Sequence, residues 1–248
     1  MAHIRVLDPD VSEQLSSPTM VEGFPGVGLV GKIAADHLIE TFDMVHYGDV
    51  HCTGVPHVAV YLTGDSELHS PVRLYADPDH DLLVLQSDVP VRPDAATDIA
   101  TCLATWFEDF DVTPIFLSGI SAESVDDDRA LFGVGTGDAT KRLADAGIDV
   151  PDEAGLISGP TGALLSHAVE SGLSSLGLIV ESYQQFPDPE AARIVIQRGI
   201  EPLTGIDVPV DELVDHAAEI RQAKEQLAKQ LQQSKEDSTQ ARPLRMYQ

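Results

Sequence analysis

The stretch Val21-Glu22-Gly23-Phe24-Pro25-Gly26-Val27-Gly28-Leu29-Val30-Gly31-Lys32-Ile33-Ala34-Ala35-Asp36-His37-Leu38 decides how this 248-residue chain is read. Four glycines (Gly23, Gly26, Gly28, Gly31) and Pro25 stand between a short apolar segment and a helical pattern. Glycine tolerates positive φ and lets other backbone come close. Pro25 fixes its own φ and biases Phe24 toward an extended conformation. The stretch therefore reads as strand, tight turn and helix. The N–H groups at such a helix start are free and attract anions.

Gly26-Val27-Gly28-Leu29-Val30-Gly31 is a literal G-x-G-x-x-G. A dinucleotide fingerprint needs its first glycine directly after the strand and an acidic residue about 20 positions on. Asp49 stands at a suitable distance, but Phe24-Pro25 interrupts the approach to Gly26. The glycines are therefore expected to serve a tight turn and close helix–sheet packing, with no cofactor. The alternative is a nucleotide- or phosphate-binding enzyme that uses the Gly-rich turns, with Lys32 as a charge at the helix start.

Outward from this turn, short apolar runs alternate with helical patterns. Strands are expected at Ile4–Leu7, Thr19–Glu22, Met44–Tyr47, His57–Leu62, Val72–Tyr75, Leu82–Gln86, Thr113–Leu117, Leu131–Val134 and Leu176–Val180. Helices are expected at Gly28–Glu40, Asp94–Phe110, Asp138–Ala146, Gly162–Ser171 and Pro189–Arg198. Runs such as Pro114-Ile115-Phe116-Leu117 carry apolar side chains on both faces, as doubly covered strands do. This alternation predicts an α/β domain with a mainly parallel sheet and helices on both faces. Several strands between His57 and Gln86 with no helix among them predict an antiparallel excursion. Glycine turns recur at Ser118-Gly119, Gly133–Gly137 and Ser158–Gly162, where Thr161 is placed to cap a helix. In open α/β sheets ligands bind beyond the carboxyl ends of strands, so these turns are candidates to converge.

The chain holds 41 acids against 15 bases, a net charge of −26, which argues against nucleic acid or an anionic membrane as partner. The acids are scattered and arginine outnumbers lysine ten to five, the surface expected of a halophile, where salt screens self-repulsion. No apolar run reaches membrane-spanning length and the first residues lack a signal-peptide pattern, so a cytoplasmic protein is expected. Cys52 and Cys102 make neither a disulfide framework nor a metal site by spacing and are read as two small buried apolar residues. No metal is expected. Asp126-Asp127-Asp128 reads as a solvated charge run, and no serine sits in a nucleophile elbow.

The last segment differs from the body. Residues 1–210 hold 9 bases and 34 acids, whereas residues 211–248 hold 6 bases and 7 acids. Asp211–Ser238 contains no Gly or Pro, and Leu213, Ala217, Ile220, Lys224, Leu227 and Leu231 follow heptad spacing. The organisation expected is a body over 1–208, an amphipathic helix over 209–238 and a flexible tail over 239–248.

Gly23-Phe24-Pro25-Gly26-x-Gly28-Leu29-Val30-Gly31 resembles the opening signature of the proteasome assembly chaperone family, in particular archaeal members related to the second assembly chaperone. Gly159-Pro160-Thr161-Gly162-Ala163-Leu164-Leu165 is similar to that family's glycine turn and helix. So is Glu181-Ser182-Tyr183 followed by Pro187-Asp188-Pro189-Glu190-Ala191-Ala192. The resemblance spans about Val21 to Ile200, with the motifs in order. It implies a three-layer α/β/α domain like those of phosphorylases and hydrolases, used for protein binding and not for catalysis. Met246-Tyr247-Gln248 resembles the hydrophobic-tyrosine-any ending with which activators and some assembly chaperones dock onto proteasome α-subunits. A mobile tail of this kind carries a free carboxylate, an amphipathic ring and an apolar anchor, which suit a lysine-lined pocket. The resemblance implies a homo-oligomer or a paralogous partner, since many weak tails on one ring gain avidity.

Overall fold

The computed structural model describes residues 3–52, 55–62, 64–121, 129–183, 187–211 and 213. Ten strands occur among them: β1 (His3–Val6), β2 (Thr19–Gly23), β3 (Val45–His51), β4 (Val60–Tyr61), β5 (Leu68–His69), β6 (Val72–Asp77), β7 (Leu82–Ser87), β8 (Thr113–Ser121), β9 (Leu131–Thr136) and β10 (Ser175–Ser182). The helices are α1 (Pro9–Ser12), α2 (Val30–Thr41), α3 (Ala96–Asp109), α4 (Thr140–Asp145), α5 (Gly159–Ser171), α6 (Pro189–Val195) and α7 (Glu201–Thr204). A π-helical turn, Ile196–Ile200, joins α6 to α7.

Eight strands form one sheet in the order β1-β3-β6-β7-β2-β8-β10-β9. Parallel pairs hold its centre: β7–β2, β2–β8 and β8–β10. The four outer pairs are antiparallel. The sheet is thus mixed, not mainly parallel. The cause is the expected antiparallel excursion, which is larger than its sequence signal: β3, β6 and β7 form a meander. A one-turn connection at Pro78–His80 closes it, and there the Asp77 carboxylate accepts the Asp79 N–H at 3.0 Å. A connection that short permits only antiparallel pairing. Of the expected strand His57–Leu62, only Val60–Tyr61 pairs, with β5 in a separate two-stranded hairpin.

Strand alternation sorts the core into two layers. Val21, Leu82, Val84, Ile115 and Leu117 face α2, α4, α6 and α7. Met20, Leu83, Leu85 and Phe116 face α3 and α5. Both faces of the central strands are therefore buried, which is why those runs carry no polar alternation. In α2 the buried residues Val30, Ala34, Ala35 and Leu38 recur at helical spacing on one face. The result is the three-layer α/β/α arrangement that the motifs imply. Val208, Val210 and Leu213 are buried in the α2-side layer.

Cys52 and Cys102 are bonded to each other, with Cα atoms 6.2 Å apart. This corrects the expectation of two separate apolar side chains. The fold carries the end of β3 beneath α3, and a separation of 50 residues holds no local sign of that meeting.

Candidate functional site

The parallel strands β2, β7, β8 and β10 end on one side of the sheet, and two polar hubs organise that edge. The first is Glu22, the penultimate residue of β2. Its side chain is fully buried, on the side of Met20 and Phe24. Oε1 accepts the Phe24 N–H at 2.8 Å, and Oε2 accepts the Leu117 N–H and the Thr161 hydroxyl, both at 3.2 Å. Three of the segments singled out from sequence thus meet on one carboxyl group: the Gly23–Gly31 turn, the middle of β8 at Leu117 and the start of α5. Burial pushes the Glu22 carboxyl up to about 7, although the three donors pull the other way.

Thr161 consequently does not cap α5. That helix begins at Gly159, and its cap position is Ser158, whose side chain makes no capping bond. The Thr161 hydroxyl is directed at the sheet instead.

The second hub is Asp188, which caps α6 by accepting the Ala191 N–H at 3.3 Å. Its Oδ2 accepts the Ser182 hydroxyl at 3.1 Å, the Tyr183 N–H at 2.9 Å and an Arg129 N–H. Its own N–H donates to the Gly28 carbonyl at 2.8 Å. Arg129 is only 5% exposed at its side chain, and its charge is compensated by Asp188. The guanidinium also lies 5.2 Å from the Tyr183 ring centroid.

Between the hubs, the glycines have separate jobs. A Cβ on Gly23 would sit 2.3 Å from the Ala35 Cβ, so that glycine brings β2 against α2. Gly28 has φ +63, and a Cβ there would sit 1.9 Å from the Ser182 Oγ. Gly31 lies against the Phe24 and Glu22 carbonyls. Gly26 is exposed, and a Cβ there would meet nothing within 4 Å. Phe24 is buried and Pro25 half-buried. Gly119 packs on the Val27 carbonyl, where a Cβ would come within 2.6 Å. The Gly133–Gly137 turn does not join this group. β9 runs antiparallel to β10, so its end, Thr136, lies level with the start of β10 at Ser175.

The residues named for the nucleotide alternative are not gathered here. Asp49 lies on β3, which β6 and β7 separate from β2, and it is hydrogen-bonded to His46 at 3.2 Å. Lys32 is ion-paired with Asp36 at 2.7 Å and with Asp88 at 3.3 Å. It belongs to a third network, on the α2 face. There Arg73, buried to 1% exposure, donates to Asp88 at 2.6 Å and to Gln86 at 2.8 Å. Burial opposes the Asp88 charge, but Arg73 and Lys32 hold its carboxyl below the usual range. Among the described residues no group of three or more His, Cys, Asp or Glu side chains is arranged to hold a metal ion.

Sequence reading missed Glu22 and Arg129. For Glu22 the signal was present: an acid directly after Met20-Val21 and two residues before Phe24, at a position where strand alternation turns it inward with Met20 and Phe24. For Arg129 no local signal exists, since its neighbours to the N-terminal side form an ordinary acidic run. Met246, Tyr247 and Gln248, the expected docking residues, lie outside the described residues, as does Asp126-Asp127-Asp128. So does the expected helix 209–238 beyond Leu213.

The PAC2 family profile matches residues 20–228, which takes in both hubs and the whole glycine turn. The chain belongs to the PAC2 family. An uncharacterized protein of Methanocaldococcus jannaschii is 24% identical to this PAC2 protein over 218 residues, 88% of either chain. The crystal structure of Pyrococcus furiosus PbaA, described as an archaeal homolog of proteasome-assembly chaperone, superposes with a TM-score of 0.78 at 26% identity. The match covers 95% of this chain and 96% of PbaA. Pyrococcus furiosus PbaB, described as an archaeal proteasome activator, shares the fold with a TM-score of 0.76 at 22% identity, over 92% of this chain and 98% of its own. The motif resemblance and the fold therefore agree. Among the described residues of this PAC2 protein, no helix is long and apolar enough to cross a membrane.

Proposed function

We propose that this PAC2 protein is a non-enzymatic chaperone or activator of an archaeal-type proteasome, and that it binds the α-ring through its C-terminal tail. The observation that carries the reading is the full-length match to PbaA, taken with the family profile over residues 20–228. The site geometry supports it. The buried polar groups described at the strand ends, Glu22, Thr161, Ser182, Asp188 and Arg129, are occupied in joining β2, β8, β10, α5 and α6 to one another. The two hydroxyls that meet carboxylates there, Ser182 on Asp188 and Thr161 on Glu22, are buried and spent on holding these elements together, and neither carboxylate is backed by a histidine among the described residues as a nucleophile–base relay would be. The edge thus reads as a rigid platform for protein contact.

The docking element in this reading is Met246-Tyr247-Gln248, with its terminal carboxylate, on the tail 239–248. A homo-oligomer or a complex with a paralogue would present several tails to one ring and gain avidity without any new kind of contact. The cytoplasm is the compartment that such a partner implies. The test is capture of purified α-subunits by the intact chain and by a chain ending at Arg245. Retention by the first and loss by the second is expected. No capture by either removes the proteasome reading, and equal capture transfers the contact to the body.

A further inference from the structure

We infer that Glu22 is a proton-operated latch at the root of the glycine turn, whose loading with a proton reverses a hydrogen bond between β2 and the start of α5. The geometry sets this up. The carboxyl group is fully buried and bridges three elements that are distant in sequence: its own turn through Phe24, β8 through Leu117 and α5 through Thr161. All three partners donate, and none is charged. No charge acts on it: β2, β7 and β8 carry no other charged or titratable side chain, and neither His167 and Glu170 of α5, nor Asp98, Glu108 and Asp109 of α3, nor Lys32, Asp36, His37 and Glu40 of α2 acts on it. A buried carboxylate with donors but no cation is poised: the donors favour charge, while the low dielectric opposes it.

Two of the three contacts cannot change sign, because a backbone N–H only donates. The Thr161 hydroxyl is the only partner able to turn and accept. A proton taken from solvent therefore resides on Oε2, the oxygen that faces Thr161. Glu22 then donates to Thr161 Oγ1, and the Leu117 N–H keeps a weaker, neutral acceptor. When the proton leaves, the hydroxyl turns back and both bonds to Oε2 become charge-assisted and stronger. The root of the Gly23–Gly31 turn is thus tied more tightly to β8 and α5 in the charged state. The balance between the two states falls near neutrality, since burial places the carboxyl at about 7. Nothing in this depends on what the protein docks to.

The test is a pH titration of the intact chain by NMR between pH 5 and 9, following the backbone amides of Phe24 and Leu117. Both are expected to shift with one shared midpoint within about one unit of neutrality. In Glu22→Gln the titration of both amides should vanish. In Thr161→Val, which removes one donor to the carboxylate and keeps the side chain's shape, the shared midpoint should move upward. The second variant keeps the inference testable should Glu22→Gln fold poorly. Amides that do not move between pH 5 and 9, a titration that survives in Glu22→Gln, or a midpoint unmoved in Thr161→Val would each overturn it.

Discussion

Gly28 faces Ser182 across the glycine turn so closely that a Cβ on Gly28 would lie 1.9 Å from the Ser182 Oγ. Gly28 also sits in the left-handed region, φ +63, and its carbonyl accepts the Asp188 N–H. One residue therefore joins β2's turn, the end of β10 and the cap of α6. Gly28→Ala should lose roughly 2–4 kcal/mol, from a left-handed conformation worth about 1 kcal/mol and an overlap worth 1–3. Denaturant unfolding measures the loss. Ser182→Gly in the same chain should recover the overlap but neither the backbone strain nor the Ser182–Asp188 hydrogen bond, so the double variant should lose less than the sum of the two single losses. Additive losses would show that the two residues do not meet.

The buried Glu22 makes stability depend on pH. Its carboxyl moves from an ordinary 4.5 to about 7 on folding, so the folded state binds the proton more tightly than the unfolded chain. The associated stability is full below pH 4.5 and is lost as pH rises through 7. The contribution amounts to roughly 3 kcal/mol at full shift. Thermal melts between pH 5 and 8 should show wild type losing stability toward pH 8 relative to Glu22→Gln. Parallel melting curves for the two chains across that range would show that Glu22 does not titrate there.

The Cys52–Cys102 bond closes a loop with a sequence separation of 50 and ties β3 to α3. Loop-closure entropy of that length corresponds to about 4 kcal/mol, with measured cases between about 2 and 5. Cys102→Ser, or reduction of the intact chain, should lower the unfolding free energy within that range. Free-thiol titration under non-reducing conditions provides the direct check: no reactive thiol is expected before reduction and two after it.

How much of this was legible follows from the range over which each signal acts. The β2–turn–α2 unit was readable because its determinants, Gly23 to Gly31 and the α2 stripe, are local. The central strands were readable because burial on both faces leaves unbroken apolar runs. The meander β3–β6–β7 was only partly readable: Arg73, Tyr75 and His46 put polar side chains on a sheet face, and that polarity weakens the strand pattern. The β1–β3 pairing, the Cys52–Cys102 bond and the Arg129–Asp188 ion pair are set by topology, so nothing adjacent in sequence announces them. Glu22 was legible in principle, as a charge at an inward-facing strand position, and its three partners were not.

The acidity of the surface carries its own expectation. Residues 1–210 bear 34 acids against 9 bases. The screening length grows from about 3 Å at 1 M salt to about 30 Å at 0.01 M, so self-repulsion is released on dilution. Circular dichroism across a KCl series should show falling thermal stability from molar to millimolar salt. A melting temperature unchanged over that range would mean that the charge is not an adaptation to a salt-rich interior.

The most direct measurement of the docking claim is the affinity of purified α-rings for three full-length chains: wild type, Tyr247→Ala, and wild type with one residue added after Gln248. In this account the tyrosine ring and the terminal carboxylate act together, so the added residue displaces the charge from its lysine partner as surely as the alanine removes the ring. A lost charge-assisted contact costs roughly 1.5–3 kcal/mol per tail, about ten-fold or more in Kd, and avidity multiplies it across an oligomer. Both variants should keep the wild-type circular dichroism and bind at least ten-fold more weakly. Equal affinity for all three chains would contradict the account and place the contact on the body.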